Sequence, residues 1–161
     1  MPMETPPSII LIAAMSRERV IGTPGGMPWS VPEEYTHYLD QIRDQTVVMG
    51  RRTFELFGAD LTSRHTLVLS RTLPAGPGYA VYGDLDTLVA AAQARGRTIF
   101  VAGGSRVYAQ LMPRADRMHL SEIRGEYVGT AYFPPFGAAD WRLEEEVDHG
   151  DWVYREWERR P

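Results

Sequence analysis

Cysteine and lysine are both missing from this 161-residue chain, so its 17 positive side chains are all arginine. Without cysteine there is no disulfide, no thiol nucleophile and no cysteine-based metal site, which fits a cytosolic protein. No metal site is expected from the remaining residues. The lack of lysine is the composition expected of a GC-rich or salt-adapted source. Excess positive charge is missing too. With a net charge of −4 and an isoelectric point of about 5.6, bulk charge offers nothing to nucleic acid or an anionic membrane. No apolar run reaches the roughly 20 residues that span a bilayer. The run from Ile9 to Met15 has the length of a buried strand. Internal repeats, linkers and low-complexity blocks are absent. The proline-rich opening, Met1 to Pro7, lacks the basic start and apolar stretch of a signal peptide and reads as a frayed tail.

What remains is ordinary globular material, 43% apolar and 24% charged, enough for one domain over residues 8–161 with a real core. Strand-like and helix-like segments alternate. Ser8 to Ala14 is continuously apolar, as a strand covered on both faces should be. Ser30 and Glu33 have capping-box spacing around Pro32, which a helix tolerates only in its first turn. Strands are expected at Thr46–Met49, His65–Ser70, Tyr79–Tyr82, Thr98–Ala102 and Met118–Ile123. Short helices are expected at Thr53–Phe57 and Arg106–Met112. A longer one, capped by Asp84 or Asp86, carries Leu85, Leu88, Val89 and Ala92 on one face and stops at Gly96. Trp141–Val147 and Trp152–Trp157 read as a hairpin turned at Asp148-His149-Gly150-Asp151. The fold class is therefore α/β: a mostly parallel twisted central sheet, flanking helices and an antiparallel C-terminal hairpin at one edge.

Four groups of residues carry chemistry. Gly103-Gly104-Ser105-Arg106-Val107-Tyr108 delivers a buried strand into two glycines and a helix start, where bare backbone and free N–H groups suit a phosphate. A ligand-free tight turn fits that motif equally well. Met49-Gly50-Arg51-Arg52-Thr53 repeats the pattern, with two arginines set against the local helix dipole. Leu69-Ser70-Arg71 adds a hydroxyl and a cation at the same sheet edge, the carboxyl ends of the strands, where ligands of open α/β sheets gather. Two phosphate-suited turns and three arginines point to a dinucleotide with an extra phosphate, NADPH rather than NADH. A solvated arginine face is the plainer alternative. Gly25-Gly26-Met27-Pro28-Trp29 is a glycine-hinged loop with large apolar groups able to close over a flat ligand. Alone, it reads as well as a loop packing its tryptophan. Finally, Glu34, Tyr35 and Tyr38 share a helix face with Val31, so a carboxylate sits among aromatics with its pKa expected to rise.

Read in order, these pieces resemble dihydrofolate reductase, of the NADPH-dependent bacterial type, across nearly the whole chain from Ser8 to Arg160. The matching stretches are Ile12-Ala13-Ala14, Val20-Ile21-Gly22, Met27-Pro28-Trp29, Glu34, Val48-Met49-Gly50-Arg51, Arg64, Leu69-Ser70, Gly103-Gly104 with Arg106-Val107-Tyr108, and Phe133-Pro134. The resemblance implies reduction of 7,8-dihydrofolate by hydride transfer from NADPH, with Glu34 bonding the pterin's amidine-like edge and promoting protonation of N5. Trp29 and Ser121 would hold an assisting water, and the Met27 loop would be the lid. Substrate would contact Ile12, Ala13, Tyr35, Tyr38, Phe57, Leu61, Ala102, Tyr108 and Ser121, with Arg64 gripping the glutamate tail. The nicotinamide would lie by Ala13, Ala14, Ile21, Gly22 and Tyr108. Gly50, Arg51, Arg52, Thr53, Leu69, Ser70, Arg71, Gly103, Gly104, Ser105, Arg106 and Val107 would hold the rest of NADPH. Gly103-Gly104 would be a cis peptide. Partners would be dihydrofolate and antifolates, with no nucleic acid and no membrane, for a cytoplasmic monomer.

Departures from the family pattern are visible. Gly129-Thr130-Ala131 stands where bacterial relatives have an Asp-Thr that steadies the lid. The C-terminal hairpin loop is shorter than in many relatives, Glu34 replaces the commoner Asp, Tyr35 replaces an aliphatic residue, and Ser105 replaces a third glycine. The nearest rival is a riboflavin-biosynthesis reductase of a ribosyl-pyrimidine, which shares fold and NADPH; Met27-Pro28-Trp29, Glu34 and Arg64 favour folate. A catalytically impaired folate- or NADPH-binding homologue is the other alternative. A short-chain pteridine reductase is disfavoured, since its Tyr-x-x-x-Lys pair needs a lysine.

Overall fold

The computed structural model describes residues 6–161, so most of the expected tail over residues 1–7 lies outside the described residues. An eight-stranded sheet runs in the order β5-β4-β3-β6-β1-β7-β10-β9. Its strands are β1 (Ile9–Ser16), β3 (Thr46–Gly50), β4 (His65–Leu69), β5 (Ala80–Tyr82), β6 (Ile99–Val101), β7 (Arg117–Ile123), β9 (Trp141–Asp148) and β10 (Trp152–Arg159). The pairs from β5 to β7 are parallel. Strand β10 joins β7 and β9 antiparallel, as the hairpin pattern predicts. The α-helices among the described residues are α1 (Pro32–Ile42), α2 (Arg51–Phe57), α3 (Leu85–Gln93) and α4 (Ser105–Leu111).

The alternation of side chains along β1 explains how one strand serves two cores. Ile9, Leu11 and Ala13 face a layer containing Leu88, Val89 and Ala92 of α3 and Val107 and Leu111 of α4. Ile10 and Ile12 face the opposite layer, with Ile42 of α1, Val47, Met49 and Phe100. Both layers are buried and apolar, which is why β1 reads as an unbroken apolar run. A third cluster, Trp29, Ile123, Trp152 and Tyr154, packs Ala14, Met27, Val31 and Tyr127 where the loop before α1 meets the hairpin.

Two expectations change. The Ser30–Glu33 capping box does not form, because Val31, not Ser30, is the helix's N-cap and no side chain caps the helix there. Pro32 then takes the first helical position and Glu34 the third, one step later than the spacing implied. A two-stranded sheet of β2 (Val20–Gly22) and β8 (Ala131–Tyr132) was also unforeseen. Three- and two-residue strands are too short for a periodic signal, and only their mutual pairing makes them strands. Asp84 rather than Asp86 caps α3, its carboxylate accepting from the Thr87 amide at 2.9 Å.

Because β1, β3, β4 and β6 run parallel, their carboxyl ends meet at one edge. The seam is closed by backbone alone: the Gly50 amide donates to the Gly103 carbonyl at 2.9 Å and the Ala102 amide to the Val48 carbonyl at 3.0 Å. Gly103 has φ +115°, a conformation that favours glycine, and a Cβ there would stand a tight 3.2 Å from Thr53 Oγ1. The core prediction follows from Leu88, which is fully buried. Leu88→Ala should cost about 2–5 kcal/mol, read as a lowered urea midpoint at unchanged slope.

Candidate active site

Two contiguous cavities open at that sheet edge. The smaller, of about 110 Å³, is a slot between α1 and the sheet. Helix α1 presents Glu34, Tyr38 and Gln41 at i, i+4 and i+7, with Tyr35 beside them. Ile12, Ala13 and Ala14 from β1 and His119 and Ser121 from β7 form the floor. His119 pairs with Ile12 and Ser121 with Ala14 across the ladder, so the two polar groups of β7 project from the same face. Ala102, Gly103, Gly104, Tyr108, Met27, Ile21, Thr53 and Phe57 complete the lining. The Tyr108 hydroxyl reaches from α4 to donate to the Ile12 carbonyl at 2.7 Å. The Gly103–Gly104 peptide is cis, as the resemblance implied.

Glu34 is 5% exposed. Burial pushes its carboxyl up from 4.5 to about 7, and a hydrogen bond with Ser121 pulls part of the way back. Burial likewise raises the Tyr38 hydroxyl, with the neighbouring acidic groups adding to it. An ionisable group held near neutrality in an aromatic slot can exchange a proton with a ligand at physiological pH.

Behind Glu34 lies a polar network that sequence reading missed. His119 Nδ1 and Gln41 Oε1 are 2.8 Å apart, and the Tyr154 hydroxyl donates to Glu156 Oε2 at 2.6 Å while lying 3.0 Å from Gln41 Oε1. Burial pushes the His119 imidazole down to about 4, against the pull of Glu156, so it is neutral at physiological pH. The signals were there: Gln41 lies two turns from Glu34, and His119 alternates with Ser121. What hid them is that their partners come from α1, β7 and β10.

The larger cavity, of about 820 Å³, shares Ile21, Thr53, Phe57 and Gly104 with the slot. It brings together Gly22, Gly50, Arg51, Arg52, Leu69, Ser70, Arg71, Ser105, Arg106 and Val107, all singled out in the sequence. Ala14, Gly103 and Tyr108 line the slot instead. Arg51 donates to Thr72 Oγ1 at 2.7 Å, and Arg52 to the Pro24 carbonyl at 2.7 Å, so both are anchored before any ligand arrives. At Gly50 a Cβ would approach Val107 Cγ2 to 3.3 Å. Thr23, Pro24, Gly26, Leu56, Gly83, Asp84, Leu85, Gln110, Thr130 and Ala131 complete the lining without having been picked as site residues. The size, bare-glycine turns and converging guanidiniums fit a phosphorylated dinucleotide.

Three predicted site residues line neither cavity. Trp29 is buried against Tyr127, ring centroids 5.2 Å apart, and its indole N–H has no partner among the described residues. Leu61 packs beneath α1 with Ile42 and Met49. Arg64 is exposed and lies 3.4 Å from the Asp44 carboxylate.

Against known proteins, the family model described as dihydrofolate reductase matches residues 8–153. Similar chains include dihydrofolate reductase type A13 of Escherichia coli, 39% identical, covering 84% of this chain and 82% of that one. Dihydrofolate reductase of Bacillus subtilis is 30% identical over 84% of this chain and 80% of its own length. Among solved structures, dihydrofolate reductase from Enterococcus faecalis complexed with NADP(H) and RAB-propyl superposes with a TM-score of 0.85 at 26% identity, covering 96% of this chain and 97% of that one.

The shifted carboxyl makes folding pH-dependent in one direction. The folded state keeps the Glu34 proton up to about pH 7, whereas an unfolded glutamate loses it near 4.5. Its stabilising contribution is complete below the lower value and is lost as pH rises through the upper one. Glu34→Gln should therefore gain on the ligand-free wild type by up to about 3 kcal/mol near pH 8, and by little near pH 4. Urea unfolding across that range checks it; a pH-independent difference would contradict the shift.

Proposed function

The chain belongs to the dihydrofolate reductase family and is an NADPH-dependent enzyme of that family; we propose that it reduces 7,8-dihydrofolate to 5,6,7,8-tetrahydrofolate with Glu34 directing the proton to N5. The observation that carries this reading is the buried Glu34 carboxyl in a slot continuous with the arginine-lined cavity. NADPH, when bound, supplies the hydride for C6. The protein's share is to bind, orient and keep water out.

Glu34 holds the amidine-like edge of the pterin, and its raised pKa keeps a proton available near neutrality. The Ser121 hydroxyl orients that carboxyl. The unpartnered indole N–H of Trp29 suits a water, which would link it to the ring. Tyr38 and Phe57 sandwich the heterocycle, and Met27 covers it. Leu61 and Arg64 serve the tail once Arg64 exchanges Asp44 for the ligand's carboxylate. Arg51, Arg52, Ser70, Arg71, Ser105 and Arg106 hold the adenosine phosphates, and Gly103-Gly104 lets the backbone approach them. This reading takes residues 8–161 as one domain, working as a cytoplasmic monomer. No helix among the described residues is long and apolar enough to cross a membrane.

Purified protein should oxidise NADPH only when dihydrofolate is present, followed by absorbance. Glu34→Gln should lower that rate at least about 100-fold and remove the loss of activity seen as pH rises through about 7. A variant that keeps both rate and profile would remove Glu34 from the mechanism. At the other cavity, Arg71→Ala should narrow the preference for NADPH over NADH by roughly ten-fold, measured as a ratio of kcat/KM values.

A further inference from the structure

Helix α1 and the turn that follows α2 are joined by a polar contact at Tyr35, one of the residues lining the slot. The Tyr35 hydroxyl donates to Asp60 Oδ2 at 2.7 Å, across 25 residues of sequence. Burial and the Asp60 carboxylate both hold the hydroxyl in its protonated, donating form. The Tyr35 ring sits 5.8 Å from Tyr38 and 6.4 Å from Phe57, so the bond fastens a wall that is already aromatic.

The slot this leaves is about 110 Å³. Cavities that enclose a whole drug-sized ligand run from roughly 300 Å³ upward. The space therefore suits a bicyclic ring head and not the aminobenzoyl-glutamate tail attached to it. Leu61 and Arg64, the residues read as tail contacts, come directly after Asp60 in the chain and outside the slot. Arg64 shares Asp44 with Arg97, at 3.4 and 3.7 Å, while the carboxylate of Asp60 is held by Tyr35.

Resting on the folate reading, we propose that Tyr35 and Asp60 form a latch that sets substrate selectivity, closing the slot between ring head and tail. Ligands with an aminobenzoyl-glutamate tail must break the bond to bind, whereas compact dihydropterins bind beside it. The latch thereby penalises tail-bearing substrates relative to tail-less ones. A net hydrogen bond of this kind corresponds to a three- to ten-fold effect, roughly.

The test compares kcat/KM for dihydrofolate and for 6-methyl-7,8-dihydropterin, with saturating NADPH, in wild type, Tyr35→Phe, Asp60→Ala and the double variant. The ratio of dihydrofolate to dihydropterin should rise about three- to ten-fold in each single variant, mainly through a lower KM for dihydrofolate. The double variant should gain no more than either single one, because all three break the same bond. A wild type that reduces both substrates, with a ratio that is unchanged or lower in the variants, or with additive gains, would overturn the latch and leave the folate reading standing. A wild type that reduces neither would overturn that reading and the latch together.

Discussion

A carboxyl group taken out of water must be neutralised, paired or hydrogen-bonded, and Glu34 lives under that constraint. Its neighbours in the slot supply no cation: they are Tyr35, Tyr38, Ile12, Ala13, Ser121 and a neutral His119. One serine hydroxyl eases the burial without cancelling it, so the group settles near neutrality. The slot accordingly awaits a ligand that brings its own hydrogen-bond donors. In the proposed reaction the amidine-like edge of the pterin meets that need.

The fold delivers the constraint. Helix α1 lies against the sheet through Ile42, Tyr38 and Leu39, and the proline at its first position fixes where it starts. That start places Glu34 in the third helical position, turned toward β7. The parallel strands place both glycine turns on the same edge, so the larger cavity adjoins the slot rather than lying across the molecule. Stability and function separate here. The two apolar layers on either side of β1 hold the sheet together, while the edge where its strands end is left to backbone, arginines and one buried acid.

Much of this was legible in the sequence, and the exceptions share a cause. β1, β3 and α3 announce themselves because a long apolar run or a 3.6-residue pattern is a local property. The two glycine turns and the arginines could be placed together because a parallel sheet fixes which ends of the strands meet. The short β2–β8 pair, the Gln41–His119–Tyr154 network and the Tyr35–Asp60 bond were not legible, since each joins residues far apart in the chain through geometry that no spacing encodes. The capping box failed for a smaller reason: the motif was present, but Pro32 and Val31 moved the helix start by one residue. Arg64 was implied as a tail contact by the family resemblance, and only the structure shows that Asp44 already stands beside it.

The Glu34 carboxyl can be titrated itself, by carbon-detected nuclear magnetic resonance of the ligand-free protein, with Glu34→Gln to assign the signal. A midpoint of about 7 is expected, against the ordinary glutamate value of 4.5. A midpoint near the ordinary value would mean that the carboxyl is solvated or paired in solution, and the slot would lose the proton reservoir on which the proposed chemistry depends.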